Sequence, residues 1–172
     1  MADTAERANS VFVTGLKNAH ALENQALELM NRQVERIENY PEVKAKLQEH
    51  IEETHNQIAR LESLLESLGE SRSVLKDNVL SLTGNLAAIA HAFTQDEIVK
   101  NSIANFAFEN FEIASYKSLI QLAQETGHQQ AQHPLQETLR EEEAMAAWVD
   151  KHLPDVTHKY LERYVSDQKA GL

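Results

Sequence analysis

Cysteine is absent from this sequence of 172 residues. Its absence excludes disulfide bonds, iron–sulfur clusters and thiolate metal sites. Glycine and proline are scarce, with five and three residues, and the valines and isoleucines do not gather into the short alternating runs that are typical of β-strands. The sequence therefore predicts an all-helical protein.

Long apolar runs and an excess of positive charge are missing as well. No run approaches the ~20 apolar residues of a membrane-spanning helix, and residues 1–10 lack the basic and apolar regions of a secretory signal. The formal net charge of −11, from 27 acidic and 16 basic residues, disfavours binding to a nucleic-acid backbone. We therefore expect a cytoplasmic protein with no membrane or nucleic-acid partner, folded as one domain over residues 1–172.

The few helix-breaking residues divide the chain into long helical segments. The predicted helices run from about 4 to 38, from Pro41 to Gly69, from a capping box at Thr94–Glu97 to Gly127, and from about 130 to 152, before Pro154. Residues 71–93 would form a crossover, and residues 156–165 a short C-terminal helix. Two helical hairpins joined by a long crossover have ferritin-like connectivity, so we predict a ferritin-like antiparallel four-helix bundle.

Acidic residues interrupt the apolar stripe of these helices at mid-length. An α-helix turns about 100° per residue, so the residues that share the inward face can be read from the spacing. The stripes contain Glu23 on the first helix, Glu109 and Glu112 on the third, and Glu142 on the fourth. On the second helix His50 lies in the stripe and Glu53 lies on its flank. Every helix thus places at least one carboxylate at or beside its inward face.

These glutamates could be ordinary surface residues of an acidic chain. However, buried glutamate is rare unless it is paired, and burial of an unpaired carboxylate costs several kcal/mol. No lysine or arginine falls inside the four stripes at the same level, so the compensating charge must come from solution. We therefore predict a bound cation.

Five carboxylates and one imidazole make a hard, oxygen-rich ligand set. Such a set favours iron or manganese over copper, and a carboxylate-bridged pair of ions over a single zinc. We predict that two metal ions, iron before manganese, are held by Glu23, His50, Glu53, Glu109, Glu112 and Glu142. Oxygen or peroxide would meet the metal at positions that the protein leaves open.

Three further side chains need a separate interpretation. Glu52-x-x-His55 has the spacing of a ferritin-like ligand pair, but both residues fall outside the apolar stripe, and we predict that they face outward. His20, one turn before Glu23, is a candidate ligand or a partner that orients a carboxylate. Tyr116 is a candidate for the same orienting role, or an ordinary core tyrosine.

The third helix has a second apolar face. It is formed by Phe108, Phe111, Leu119 and Leu122, and we predict that Trp148 points outward on the fourth helix. This is more apolar surface than a single bundle hides, so we predict a homodimer.

Four segments together resemble a known family. They are Ala21-Leu22-Glu23-Asn24-Gln25, His50-Ile51-Glu52-Glu53-Thr54, Phe108-Glu109-Asn110-Phe111-Glu112-Ile113-Ala114-Ser115-Tyr116 and Leu139-Arg140-Glu141-Glu142. The sequence resembles the YciE/YciF-type bacterial stress proteins, ferritin-like relatives of rubrerythrin and Dps. Residues 37–42 and 96–100 are more similar to the YciE branch.

The resemblance implies a dimeric bundle with a diiron centre and a role in stress response, and it points to the same six ligands. The sequence departs from rubrerythrin because the Glu-x-x-His of the last helix is missing: Ala144, Met145 and Ala146 follow Glu143. It also lacks the lysine-rich tail that some Dps proteins use on DNA. We therefore expect a diiron protein that oxidises or sequesters Fe(II). The alternatives are a Dps-like DNA-protecting protein and a non-enzymatic helical interaction protein with a structural metal site.

Overall fold

The computed structural model describes residues 2–70 and 96–171. Within these ranges the chain forms four α-helices and no β-strand: α1 (Ala2–Arg36), α2 (Pro41–Ser67), α3 (Glu97–Glu125) and α4 (Gln129–Val165). The prediction of an all-helical protein is confirmed. None of these helices combines the length and the hydrophobicity that crossing a bilayer requires.

The ends of α2 and α3 follow the breakers in the sequence. Pro41 is the first residue of α2, where its fixed φ suits a helix and its missing N–H is not needed. Gly69 and Gly127 have φ values of +83° and +79° just beyond α2 and α3, a conformation that glycine adopts without a Cβ clash. Thr94, the first residue of the predicted capping box, lies outside the described residues, and Asp96 makes no side-chain capping hydrogen bond to α3.

The helices pack as an antiparallel bundle in which α1 contacts α2 and α3, and α4 contacts α3 and α2. Lys17 forms an ion pair with Glu70 just after α2, at 2.8 Å, and Arg36 forms one with Glu97 at the start of α3, at 2.7 Å. Lys17 and Arg36 lie roughly 28 Å apart along α1 at 1.5 Å per residue. The end of α2 and the start of α3 therefore lie at opposite ends of a ferritin-like bundle. The predicted crossover falls in residues 71–95, outside the described residues.

Two apolar clusters fill the core on either side of a layer of buried polar residues. One cluster contains Phe12, Leu16, Leu61, Leu65, Tyr116 and Leu135. The other contains Met30, Ile37, Leu47, Ile98, Met145 and Val149. On α1, α3 and α4 the buried glutamates fall between the members of the two clusters, so the polar layer lies at mid-length and is shielded from solvent at both ends.

The helix α4 does not end before Pro154. It continues without interruption to Val165, so the predicted break and the separate C-terminal helix over residues 156–165 are wrong. An internal proline removes one helical hydrogen bond and costs about 3 kcal/mol. Here Val156 is buried in the second apolar cluster and Tyr160 packs against it, and this packing stabilises the continuation.

Trp148 does not point outward as predicted. It packs against the second apolar cluster and its ring stacks on His152, with ring centroids 4.0 Å apart. Phe108 is also partly buried against that cluster, and Leu119 is buried in the first one. The exposed apolar surface of α3 is therefore narrower than predicted.

The C-terminal residues lie across the end of the bundle where α2 and α3 begin. The Tyr40 hydroxyl donates to the carbonyl oxygen of Ala170, and the Ile98 N–H donates to that of Gly171 at 2.9 Å. Asn39 Nδ2 donates to the carbonyl oxygen of Lys169 at 3.4 Å. The tail thus ties the starts of two helices together.

Candidate metal centre

Five of the six predicted ligands lie in the buried polar layer. Glu23, His50, Glu109, Glu112 and Glu142 are each at most 4% exposed. The same helical periodicity that builds the apolar clusters turns these residues inward, because they occupy positions of the apolar stripes. We refer to the four carboxylates among them as the glutamate layer.

His50 lies against two members of the glutamate layer. Its Nε2 atom is 3.4 Å from Oε2 of Glu109 and 3.5 Å from Oε2 of Glu142. One ligand atom from each of these three side chains lies within 4.8 Å of the others. Side chains from α2, α3 and α4 thus form a compact group of the size that one cation fits.

Glu53 lies at the edge of this group. Its side chain is 29% exposed, and its Oε2 atom is 2.7 Å from Nδ1 of His50. A carboxylate on the outer nitrogen of a ligating histidine orients the ring and raises its basicity. The structure thus brings Glu53 to the outer nitrogen of His50 rather than among the buried carboxylates.

Glu23 and Glu112 are the other two buried carboxylates of the layer. The hydroxyl of Tyr116 donates a hydrogen bond to Oε1 of Glu23, so Tyr116 holds a carboxylate, one of the two roles considered from the sequence. Burial raises the pKa of Glu112, and the neighbouring charges of Glu23 and Glu142 raise it further. The carboxyl groups of the layer are therefore close enough to repel one another.

Protons balance this repulsion in the absence of a metal ion. Burial raises the pKa of Glu23, and it raises the pKa of Glu109 to about 8. Burial also lowers the pKa of His50, but the attraction of the neighbouring carboxylates of Glu109, Glu142 and Glu53 outweighs this effect and raises it to about 12. In the metal-free protein the layer thus binds protons, and their positive charge takes the place of the charge of metal ions.

The donor atoms of the layer fit a hard metal ion. Oε2 of Glu109, Oε1 of Glu112 and Oε2 of Glu142 are buried and accept no hydrogen bond within the described residues. A buried acceptor without a donor is costly, and carboxylate oxygen is the ligand that iron and manganese take readily. Three such oxygens beside one imidazole nitrogen suit a cation better than they suit an apolar core.

Comparison with known proteins identifies the chain at the level of family. Residues 7–162, which include all the residues of the layer, match the family described as a domain of unknown function, DUF892. The chain belongs to the DUF892 family.

Two proteins with solved structures are similar to this DUF892 protein. The Escherichia coli (strain K12) protein YciF is 30% identical over 142 residues, 78% of this chain and 82% of YciF. A crystal structure of a Xanthomonas campestris pv. campestris protein superposes with a TM-score of 0.76 at 32% identity, covering 91% of this chain and 98% of that one. The crystal structure of the E. coli stress protein YciF superposes with a TM-score of 0.70 at 24% identity, covering 88% and 98%.

These comparisons confirm the resemblance to YciE/YciF-type proteins, while the narrower placement in the YciE branch stays a prediction. The buried group of His50, Glu109 and Glu142 is compatible with a ferritin-like metal-binding protein. The identity and number of the ions belong to the proposal below.

The structure also places the side chains outside the layer that were singled out from the sequence. Glu52 and His55 are exposed, which confirms that the literal Glu-x-x-His match faces away from the core of the DUF892 bundle. His20 is buried, and its Nε2 atom lies 3.5 Å from Oε1 of Glu62. Neither ring nitrogen of His20 has a hydrogen-bond partner in the described part of the chain, so His20 orients no carboxylate of the layer here.

Two side chains beside the layer are not among the ligands predicted from the sequence. Gln57 is fully buried on α2 and donates to Glu142. Arg60 binds Glu141 through two hydrogen bonds of 2.6 and 2.8 Å, at the edge of α2 and α4. Gln57 could have been found from its spacing, because it lies seven residues, or nearly two full turns, after His50.

Proposed function

We propose that this DUF892 protein is a non-haem diiron protein that binds Fe(II) and oxidises or sequesters it in a stress response. The observation that carries the proposal is the set of buried carboxylate oxygens at Glu109, Glu112 and Glu142 that accept no hydrogen bond in the described part of the chain. Four carboxylates and one imidazole from four helices offer enough ligands for two ions, and carboxylates can bridge such a pair.

The residues of the layer would have distinct roles. Glu109, Glu142 and Nε2 of His50 would hold one ion, and Glu23 and Glu112 would complete the second. Glu53 keeps the imidazole in place through Nδ1, and Tyr116 fixes one oxygen of Glu23. Bound iron would supply electron transfer to oxygen or peroxide at the positions that these residues leave open.

The surroundings of the layer support the same function. The two apolar clusters above and below it exclude bulk water, which strengthens electrostatic interactions inside the bundle. We expect residues 1–172 to form one domain, since the family match over residues 7–162 includes most of each of the four helices. A cytoplasmic location remains our expectation from the composition.

Iron loading of protein purified without chelator tests this proposal. Anaerobic titration with Fe(II) should give about two ions per chain, and oxygen consumption should follow when air is admitted. Glu109→Ala should abolish both properties. The matched control Glu52→Ala, which removes an exposed glutamate on α2, should preserve both.

Failure of the wild-type protein to hold iron would contradict the proposal. Retention of iron without oxygen or peroxide consumption would restrict the function to sequestration or structure. Loss of iron in Glu52→Ala but not in Glu109→Ala would mean that the glutamate layer is not the iron site.

A further inference from the structure

The amide of Gln57 links Glu142, in the glutamate layer, to Glu141 at the edge of α2 and α4. The residue is fully buried on α2. Its Nε2 atom donates one hydrogen bond to Oε1 of Glu142 and another, at 3.0 Å, to Oε2 of Glu141. Both donor hydrogens of the amide are therefore used on neighbouring carboxylates of α4.

These two bonds fix the orientation of the amide. Both partners are carboxylate oxygens, which only accept hydrogen bonds when ionised. A flipped amide would place Oε1 of Gln57 against Glu141 and Glu142 and would lose both bonds. Arg60 in turn anchors Glu141 with bonds of 2.6 and 2.8 Å, so one of the two acceptors is held from outside the layer.

The carbonyl oxygen of the same amide has no hydrogen-bond partner among the described residues. Oε1 of Gln57 is buried and accepts no hydrogen bond within residues 2–70 and 96–171. Leaving a buried acceptor without a donor is energetically unfavourable. Gln57 lies seven residues after His50, so the two side chains leave α2 within about 20° of each other. An amide oxygen on the same face as His50 is a hard ligand for a divalent cation.

The hydrogen bond from Gln57 also determines which oxygen of Glu142 is available to a metal ion. Oε1 of Glu142 accepts from Gln57, whereas Oε2 has no hydrogen-bond partner in the described residues and lies 3.5 Å from Nε2 of His50. The amide thus keeps Oε2 of Glu142 turned toward His50, where a metal ion would need it.

We propose that Gln57 is a further ligand of the metal centre, binding through its amide oxygen while its amide nitrogen locks Glu142. The inference rests on the proposed metal-binding function but adds a residue to the site. A neutral ligand suits this position because a further carboxylate would add to the repulsion within the glutamate layer.

Titration with Co(II) tests the role of Gln57, because cobalt absorption in the visible range depends on the number of ligands. Gln57→Met keeps the length of the side chain but removes both the oxygen and the donor hydrogens. It should weaken Co(II) binding by about tenfold or more and should change the visible spectrum. Gln57→Glu keeps an oxygen at this position but loses the donor hydrogens, so its Co(II) affinity should fall clearly less than that of Gln57→Met, and its metal-free form should unfold at lower temperature.

Gln25→Met is the matched control. Gln25 is also a buried glutamine whose Oε1 has no partner in the described residues, but it points about 200° away from Glu23 around α1. This variant should bind Co(II) as the wild type does.

The outcomes separate the two proposals. A wild-type protein that binds no Co(II) would contradict the metal centre itself. Wild-type affinity and spectrum in Gln57→Met would overturn the ligand role of Gln57 while leaving the centre intact. Equal losses in Gln57→Met and Gln57→Glu would also overturn it, because only the donor function would then matter. If Gln57→Met does not fold, the Gln57→Glu titration decides alone: a loss of Co(II) affinity of about tenfold or more in this variant contradicts the ligand role.

Discussion

The Nδ1 atom of His50 lies 2.7 Å from Oε2 of Glu53, one turn further along α2. Nε2 of the same ring faces Glu109 and Glu142 at 3.4 and 3.5 Å. The imidazole therefore connects a partly exposed carboxylate at the edge of the bundle to the buried glutamate layer. This arrangement presents Nε2 to a metal ion and leaves Nδ1 to hold the ring.

Substitution of Glu53 should alter metal affinity without changing the number of ions bound. Glu53→Ala removes the acceptor for Nδ1 of His50 and should weaken Fe(II) binding by about 10- to 100-fold. Glu53→Gln keeps an oxygen that can accept from Nδ1 and should bind more nearly as the wild type does. Anaerobic Fe(II) titration measures both quantities. Loss of one ion in Glu53→Gln would instead make Glu53 a direct ligand, as the sequence predicts.

Replacing Glu109 by leucine should stabilise the metal-free protein while removing its metal. Glu109 is buried among three other carboxyl groups, and burial raises its pKa to about 8. An apolar side chain of similar size relieves this repulsion, and we expect the free energy of unfolding to rise by about 1–3 kcal/mol. Urea denaturation in the presence of chelator measures the gain. A decrease would mean that the carboxyl of Glu109 contributes more to the metal-free fold than it costs.

The stability of the metal-free protein should fall as the pH rises from about 5 to 8. An unfolded chain releases the proton of Glu109 near its ordinary pKa of 4.5, whereas the folded protein keeps it until about 8. The stabilisation is therefore fully present below 4.5 and is lost toward 8, at up to about 1.4 kcal/mol per pH unit for each proton. The raised pKa of His50, about 12 against 6.5, acts in the same direction at higher pH.

Thermal unfolding at a series of pH values, with and without metal, checks this dependence. The metal-bound protein should show a flatter profile, because the metal replaces protons as the partner of ionised carboxylates. Glu109→Leu without metal should also be flatter. Rising stability of the metal-free wild type between pH 5 and 8 would contradict the prediction.

The positions of the layer residues could be predicted because helical geometry is regular. The turn of 100° per residue places Glu23, Glu109, Glu112 and Glu142 on the same faces as buried leucines, without any knowledge of the partner helix. Pro41 and the two positive-φ glycines likewise mark helix ends through local backbone preference alone. The helix faces and helix ends depend on residues that are close in the sequence, so they can be predicted from the sequence alone.

Contacts between helices could not be predicted in the same way. The bonds from Gln57 to Glu141 and Glu142 depend on rotamers and on the rotation of α2 against α4. The continuation of α4 through Pro154 depends on a balance between one lost hydrogen bond and the burial of Val156. The prediction for Trp148 was wrong because a helical wheel gives the position of a residue around the helix but not its side-chain rotamer. The rotamer of Trp148 stacks its ring on His152.

We predict that the protein is a dimer in solution. A groove of about 410 Å³ between α1 and α3 is lined by apolar side chains that include Leu29, Met30, Ile103 and Phe111. Ile103 and Phe111 are 53% and 56% exposed, so a second copy that covers this face would bury them. Light scattering should give about twice the chain mass of 19.4 kDa, and Phe111→Lys should shift the mass toward one chain. A mass above about ten chains would favour a storage shell instead.

Binding to duplex DNA is not expected at physiological salt. The chain has 27 acidic and 16 basic residues, and neutralising phosphates requires lysine or arginine clusters. A gel-shift assay at micromolar protein should show no complex. A complex that disappears as salt is raised would revive the DNA-protecting alternative.

The tail that ties Tyr40 and Ile98 to Ala170 and Gly171 couples the starts of α2 and α3 to one another. Backbone amides at these two helix starts are therefore expected to exchange with solvent together, in one local opening that releases the tail. The glutamate layer lies at mid-length, so such an opening would leave it closed.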